Sequence, residues 1–310
     1  MRMSARSAIT VLAVTGAIAV TLAATTTGVA SASSADGSTV TYTYSSAQQS
    51  AAASYWTSSA MAAAAGVSNG AVKSADVPAP PASIPNPVYF NGVRTVGALF
   101  FTTGTGQDHF CTASVVNSLT LDLVLTAAHC VAYGDDTFAQ NVVYVPEWHN
   151  GVSPYGAWPV QNITVTSSWD QNQNDVNTDF AFLKVGPPAG SSRPVQLVTG
   201  GLTLGSYLGY NHSNINVIGY NDTDSQPIIC NTQSVYGDIP DQELFYCNNF
   251  NDGTSGGPWI IGLNPVTGSG TVFGDIGGYD QGGDYPYYSY SAYYNAAIDF
   301  LYVQAQASQL

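Results

Sequence analysis

One hydroxyl stands in a run built for turning. In NDGTSGGPW, Asn251 to Trp259, Ser255 is surrounded by three glycines and a proline, just ahead of the apolar pair Trp259-Ile260. Glycine alone enters positive φ without steric cost, so such a run makes tight turns. A serine on that turn can expose its Oγ while neighbouring N–H groups point at one spot, as a nucleophile and its oxyanion site require. Taken by itself the segment also reads as an ordinary hairpin loop.

A serine nucleophile needs a base, and histidine is the usual one near neutral pH. The chain has four: His109, His129, His149 and His212. His129 stands in LVLTAAHC, where an apolar strand runs into small residues and a cysteine. A strand end followed by a disulfide would hold an imidazole in place. The other three lie in polar, loop-like stretches and read as structural, hydrogen-bonded histidines. The base in turn needs an acid that fixes its tautomer. Asp179 opens DFAFLKV, an acid at the mouth of an otherwise apolar strand, where burial without a partner would be costly. Asp175, four residues earlier in a more polar loop, is the second choice.

The elements that must position these groups read as β-structure. Beyond Pro87, glycine-rich turns separate short β-prone runs: VGALFF, LVLTAAHC, NVVYVP, FAFLKV, INVIGY and TVFGDIGG. Many short strands with frequent turns imply a sandwich or barrel. Tyr293, Ala297, Ile298, Leu301 and Ala305 recur at helical spacing, which predicts one C-terminal helix. All four cysteines, Cys111, Cys130, Cys230 and Cys247, lie in this part of the chain. With an exported chain they predict disulfides, in any of three connectivities. No Cys-x-x-Cys or His-x-x-x-His cluster supports a metal site.

LTAAHC, DFAFLKV and GTSGGP, in that order, resemble the chymotrypsin-like (trypsin-like) serine peptidases. VGALFF with CTASVV, VIGY and TSGGP is most similar to their bacterial secreted trypsin-like and glutamyl-endopeptidase-like branches. The resemblance covers roughly residues 88 to 305. It implies an all-β fold of two six-stranded antiparallel β-barrels, about 88–200 and 201–310, with the site between them and a C-terminal helix. It implies His129 as base, Asp179 as orienting acid and Ser255 as nucleophile, with the Gly253 and Ser255 amides as oxyanion hole. It pairs Cys111 with Cys130 and Cys230 with Cys247. It also places the primary specificity pocket at Asn249, as floor, and at Ile276, Gly277 and Gly278, as walls. An uncharged floor disfavours Lys or Arg before the cut, and no cation is evident to receive Glu. An uncharged or apolar residue is expected there. The chemistry needs no cofactor and no metal.

Two alternatives and one departure bear on this reading. Gly253-Thr254-Ser255-Gly256-Gly257 also satisfies the G-x-S-x-G elbow of α/β-hydrolases, but there the His follows the Ser, and no His follows His212. A catalytically silent homologue that binds proteins is the other. The departure is Thr254, where many relatives carry an Asp that receives the new N-terminal ammonium after activation. Pro-segment removal would then act by unblocking the cleft.

Arg2 and Arg6 precede an apolar run to about Ala24, and Ala30-Ser31-Ala32 offers a small-residue cleavage site. Residues 1–32 therefore read as a secretory signal peptide and the protein as extracellular. Residues 33–87, rich in Ala and Ser and closing with VPAPPASIPNP, read as a pro-segment and linker. A helix within 47–65 would carry few core-forming side chains. From residue 88 onward eighteen acidic residues face only Arg94, Lys184 and Arg193. Nucleic acid and stable membrane association are excluded as partners on that balance; the resemblance implies protein or peptide substrates, and a monomer is expected. The acidic Asp222-Asp224 stretch reads as a solvated loop, and the tyrosine-rich segment from Gly277 to Asn295 as barrel-edge packing.

Overall fold

The computed structural model describes residues 38–66, 81–173, 175–222, 224–283 and 285–307. The expected signal peptide lies outside the described residues. The described residues begin with an arm of β1 (Thr39–Thr43), α1 (Ser46–Tyr55), α2 (Ser58–Ala63) and β2 (Ala65–Gly66), and β3 (Val88–Tyr89) comes later. The first N–H groups of a helix have no partner inside it. Here Ser45 and Gln48 form a capping box at α1, and Thr57 accepts the Ala60 N–H at α2.

The arm differs from its sequence reading. Instead of one helix with little to bury, the chain breaks at Trp56, which leaves helical geometry and turns inward. Trp56 and Met61 are both only 4% exposed. The Trp56 ring lies 5.3 Å from that of Phe100, and its Nε1–H donates to the Asn141 carbonyl at 2.5 Å.

The first sheet contains β4 (Val96–Thr102), β5 (Asp108–Val115), β6 (Leu123–Thr126), β7 (Gln140–Pro146), β8 (Trp158–Thr166) and β9 (Ala181–Val185), with α3 (Ser167–Gln171) between the last two. In space these run β8-β7-β4-β5-β6-β9 and back to β8, an antiparallel six-stranded closed barrel. β1 adds to its outside, pairing with β8 from Thr39↔Thr166 to Thr43↔Asn162. VGALFF is apolar throughout rather than alternating because both faces of β4 are covered. Leu99 and Phe101 fill the barrel, while Val96, Ala98 and Phe100 join Trp56, Met61 and Trp148 outside it.

After α4 (Val195–Thr199) the second sheet contains β10 (Thr203–Leu204), β11 (His212–Gly219), β12 (Ile228–Tyr236), β13 (Gln242–Tyr246), β14 (Pro258–Ile261), β15 (Thr271–Asp275) and β16 (Tyr288–Ala292). Its order is β10-β15-β14-β11-β12-β13-β16. This is a curled half-barrel rather than a second closed one. No ladder pairs β15 with β16 among the described residues; single bonds join this edge, Asp275 N–H to Ser291 Oγ at 3.0 Å and, just past β15, Gly277 N–H to Tyr290 O at 3.1 Å. The ladder stops there because the backbone after β15 turns toward Asp179 instead, to which Gly278 donates.

The C-terminal helix is α5 (Ala296–Ala307), burying Ala297, Ile298, Leu301 and Ala305. It packs on β8 and β9 of the first barrel. Tyr302 donates to Asn117 O at 2.7 Å, and its ring meets Phe182. Tyr293 precedes the helix. Both disulfides form in the pairing the resemblance implied, Cys111–Cys130 and Cys230–Cys247. No helix among the described residues is long and apolar enough to cross a membrane.

Candidate active site

The strand β6 ends at Thr126, and small Ala127 and Ala128 let the chain turn tightly into a short 3-10 helix, Ala128–Cys130, that carries His129. Cys130 is tied to β5 through Cys111, so the turn cannot swing. Asp179 leaves another short 3-10 helix, Val176–Thr178, just before β9. β6 and β9 are neighbours, pairing Thr126 with Ala181, and their ends therefore bring His129 and Asp179 together.

The contact between them is specific. His129 Nδ1 lies 2.8 Å from Asp179 Oδ2, and the His129 backbone N–H donates to Asp179 Oδ1 at 2.8 Å. A third donor, Gly278 N–H, reaches Oδ2 at 2.8 Å. Asp179 is fully buried and His129 7% exposed. A buried carboxylate without such donors would be costly, and three of them fix its plane. With Nδ1 engaged, the imidazole presents Nε2 to the site. Nε2 is buried and takes no hydrogen bond among the described residues.

Ser255 comes from the other sheet, on the turn before β14. Its carbonyl accepts the Thr112 N–H at 2.8 Å, which sets it against β5. The next residue shows how close the approach is. A Cβ on Gly256, at φ +75°, would lie 2.2 Å from Thr126 Oγ1 and 2.3 Å from Thr112 O. Only glycine lets the serine turn reach the end of β6, three residues before His129. Gly253 is equally constrained, at φ +90° with Phe110 and Tyr220 O within 2.7 Å of any Cβ. Its carbonyl accepts Thr112 Oγ1–H at 3.1 Å, and Tyr220 N–H donates to that same hydroxyl at 2.9 Å.

Thr254 is buried and closes the turn locally, its hydroxyl donating to Asn251 O at 2.7 Å. Asn251 N–H donates to Asn221 Oδ1 at 3.1 Å. The serine loop is thus held by neutral hydrogen bonds at the position where an acid was missed in the sequence.

Behind Asp179 sits a second buried carboxyl, Asp275. Burial first, and the Asp179 charge second, push it well above the usual carboxylate range. It accepts the Tyr294 hydroxyl at 2.8 Å. Burial and the neighbouring Asp179 charge thus both disfavour a second negative charge at this place.

The remaining sequence candidates fall as follows. Ile276 is fully buried in the half-barrel core, its carbonyl accepting Gly256 N–H at 2.7 Å. Gly277 and Gly278 lie against Asp179. Asn249 is exposed, in a left-handed turn at φ 63°. Asp175 is not beside His129; its carboxylate accepts from the Ser168 hydroxyl. His149 Nδ1 meets Glu147 O and His212 Nε2 meets Gly209 O, both at 2.8 Å, while half-buried His109 stacks on Phe101. The Asp222 carboxylate accepts Gly66 N–H, and Asp224 accepts from Asn221 and Tyr89. No cluster of metal-ligating side chains occurs among the described residues.

Sequence reasoning missed three positioning groups. The Gly278 amide was assigned only to a pocket wall. Thr112 gave no signal beyond standing beside Cys111. Gln242, fully buried, donates to Asn177 Oδ1 at 2.8 Å and Val176 O at 3.1 Å, steadying the turn that presents Asp179.

Residues 87–298 match the family described as Trypsin. Among solved structures the chain is similar to protease Anisep from Arthrobacter nicotinovorans, at 26% identity and TM-score 0.62, over 71% of this chain and 98% of that one. It is similar to the thermostable serine protease AL20 from an extremophilic microorganism, at 25% identity and TM-score 0.60, over 70% and 98%. A Glu endopeptidase shares the fold at 14% identity and TM-score 0.55, over 72% and 97%. Comparison with curated protein sequences finds no match.

Proposed function

Because the chain belongs to the trypsin family of serine peptidases, we propose that it is a secreted endopeptidase working through Ser255, His129 and Asp179. The observation that carries this reading is the pair of bonds from Asp179 to His129, one to the ring and one to the backbone. They hold the imidazole in the tautomer with Nε2 bare, the form that can accept a proton.

Ser255 Oγ attacks the scissile carbonyl while His129 Nε2 takes its proton. The tetrahedral oxyanion is received by the Gly253 and Ser255 amides, and the imidazolium is stabilised by Asp179. His129 then protonates the leaving amine, which departs, leaving an acyl ester on Ser255. Water repeats the sequence, giving its proton to His129 as it attacks the ester. The released products are an acid and a regenerated Ser255. In apo structures the serine–histidine hydrogen bond is often long and tightens with substrate.

We assign the wall beside the residue that precedes the cut to the backbone of Ile276, Gly277 and Gly278. No cation lies there among the described residues to compensate Glu, and we assign a preference for uncharged or apolar side chains. Signal cleavage after about Ala32 and a second cut within residues 75–90 complete maturation.

Peptide-library profiling of the secreted protein tests the reading. Cleavage after uncharged residues supports it, and dominant cleavage after Arg, Lys or Glu contradicts the pocket. No cleavage at all favours a silent, protein-binding homologue.

A further inference from the structure

We propose that the end of the N-terminal arm, Ala65–Gly66, is a built-in occupant of the cleft, lying where a substrate chain continues past its scissile bond. This rests on the reading of Ser255, His129 and Gly253 given above. β2 pairs in parallel with β5, Ala65 opposite His109 and Gly66 opposite Phe110. Phe110 is the side chain that packs on Gly253, so the arm ends beside the amide assigned to the oxyanion. Gly66 touches that backbone directly. A Cβ on it would lie 2.7 Å from Asp252 C and from Gly253 N. Its N–H donates to the Asp222 carboxylate, and Asp222 N–H in turn donates to Asp252 O at 2.8 Å.

An extended polypeptide docks on a peptidase by adding a strand to an open sheet edge. The edge of β5 at His109–Phe110 is such an edge, and β2 occupies it. It belongs to the first barrel, whereas the wall for the residue before the cut, Ile276 to Gly278, belongs to the second sheet. The arm therefore obstructs the far side of the cleft, where the leaving segment lies.

What holds the occupant is not the two-residue pairing but its anchors. β1 makes a five-residue ladder with β8, Trp56 packs on Phe100, and Met61 and Ala64 are buried. Tyr55 adds a hydroxyl bond to Asp108 at 2.8 Å. A groove of about 410 Å³ remains open between Met61, Ala64, Phe110, Trp148, Asp222 and Ser225. That groove is a peptide path only partly filled. Cutting the chain after residue 66 would leave these anchors intact, so activation requires the arm to let go as well as to be cut.

The test uses the full secreted chain, with mass spectrometry verifying that residues 38–66 are retained. Two fluorogenic substrates share one acyl half. One ends in a small coumarin amide, and the other continues three residues beyond the cut. Each rate is divided by the active-site concentration from fluorophosphonate labelling, which removes any difference in folded fraction. Trp56→Ala loosens an anchor, and Gly66→Val forces β2 off the Asp252–Gly253 backbone. Each should raise kcat/KM for the long substrate about tenfold, the population shift expected for opening a two-residue strand pairing, with little change for the short one. An unchanged ratio of long to short in both variants, with label present, overturns the occupant and leaves the triad standing. Absence of label from every form overturns the triad and this inference with it.

Discussion

Asp179 grips His129 at two points, its Oδ1 on the backbone N–H and its Oδ2 on the ring Nδ1, both at 2.8 Å. One carboxylate thus fixes both where the imidazole sits and which nitrogen it presents. Asp179→Asn keeps the size and one acceptor but offers an N–H toward Nδ1, favouring the wrong tautomer. Activity should fall on the order of ten-thousandfold with the fold intact. Steady-state kinetics with circular dichroism checks this; a loss below about tenfold would remove Asp179 from the mechanism.

Gly256 has no room for a side chain. Gly256→Ala places a methyl against Thr126 Oγ1 and Thr112 O at a φ of +75°. The turn must shift, and Ser255 with it. An error of about 1 Å costs on the order of a hundredfold in rate. A variant that kept full kcat would mean that Ser255 does not depend on this turn.

The Cys111–Cys130 bridge joins β5 to the 3-10 turn carrying His129. Replacing both cysteines with serine should cost about 2–5 kcal/mol of stability. It should also lower kcat, because the base loses its clamp. Replacing Cys230 and Cys247, which bridge β12 to the end of β13, should affect stability without comparable loss of kcat in the folded fraction. Urea unfolding and active-site-normalised rates separate the two effects.

How much of this was legible beforehand varies with the physical signal. The serine turn and the strand ends at His129 and Asp179 stood out because their local demands, glycine at positive φ and an acid beside an apolar strand, admit few residue types. VGALFF, apolar at every position, carried a sign that both faces of β4 are covered, but not by what. The covering arm was read as a linker because Ala and Ser dominate it, and one Trp and one Met do not outweigh composition. The pairing of Ala65–Gly66 with β5 links residues far apart in the chain and has no local signature. The open edge of the second sheet was equally hidden, since Gly277 and Gly278 look like strand-end glycines whether they turn toward β16 or toward Asp179.

Glu243 makes stability depend on pH. Buried in β13, its carboxyl is pushed by desolvation up to about 9 from an ordinary 4.5, against the opposing hydrogen bond of Ser234. Between those values the folded protein keeps a proton that the unfolded chain has released. Stability from this group is therefore full below about pH 4.5 and is lost as pH rises toward about 9. Glu243→Gln should flatten that slope and raise the melting temperature at pH 8 relative to pH 5. Thermal scans across the range check it, and parallel slopes in both proteins would contradict a neutral Glu243.

The central claim is that Ser255 is the nucleophile. Fluorophosphonate labelling of the purified protein, followed by peptide mapping, addresses it directly, since the reagent forms a covalent bond only with an activated hydroxyl. One adduct is expected, on Ser255, absent from Ser255→Ala and slowed on the order of a thousandfold or more in His129→Ala, as loss of the general base implies. An adduct on another residue, or equal labelling in the Ser255→Ala protein, would contradict it.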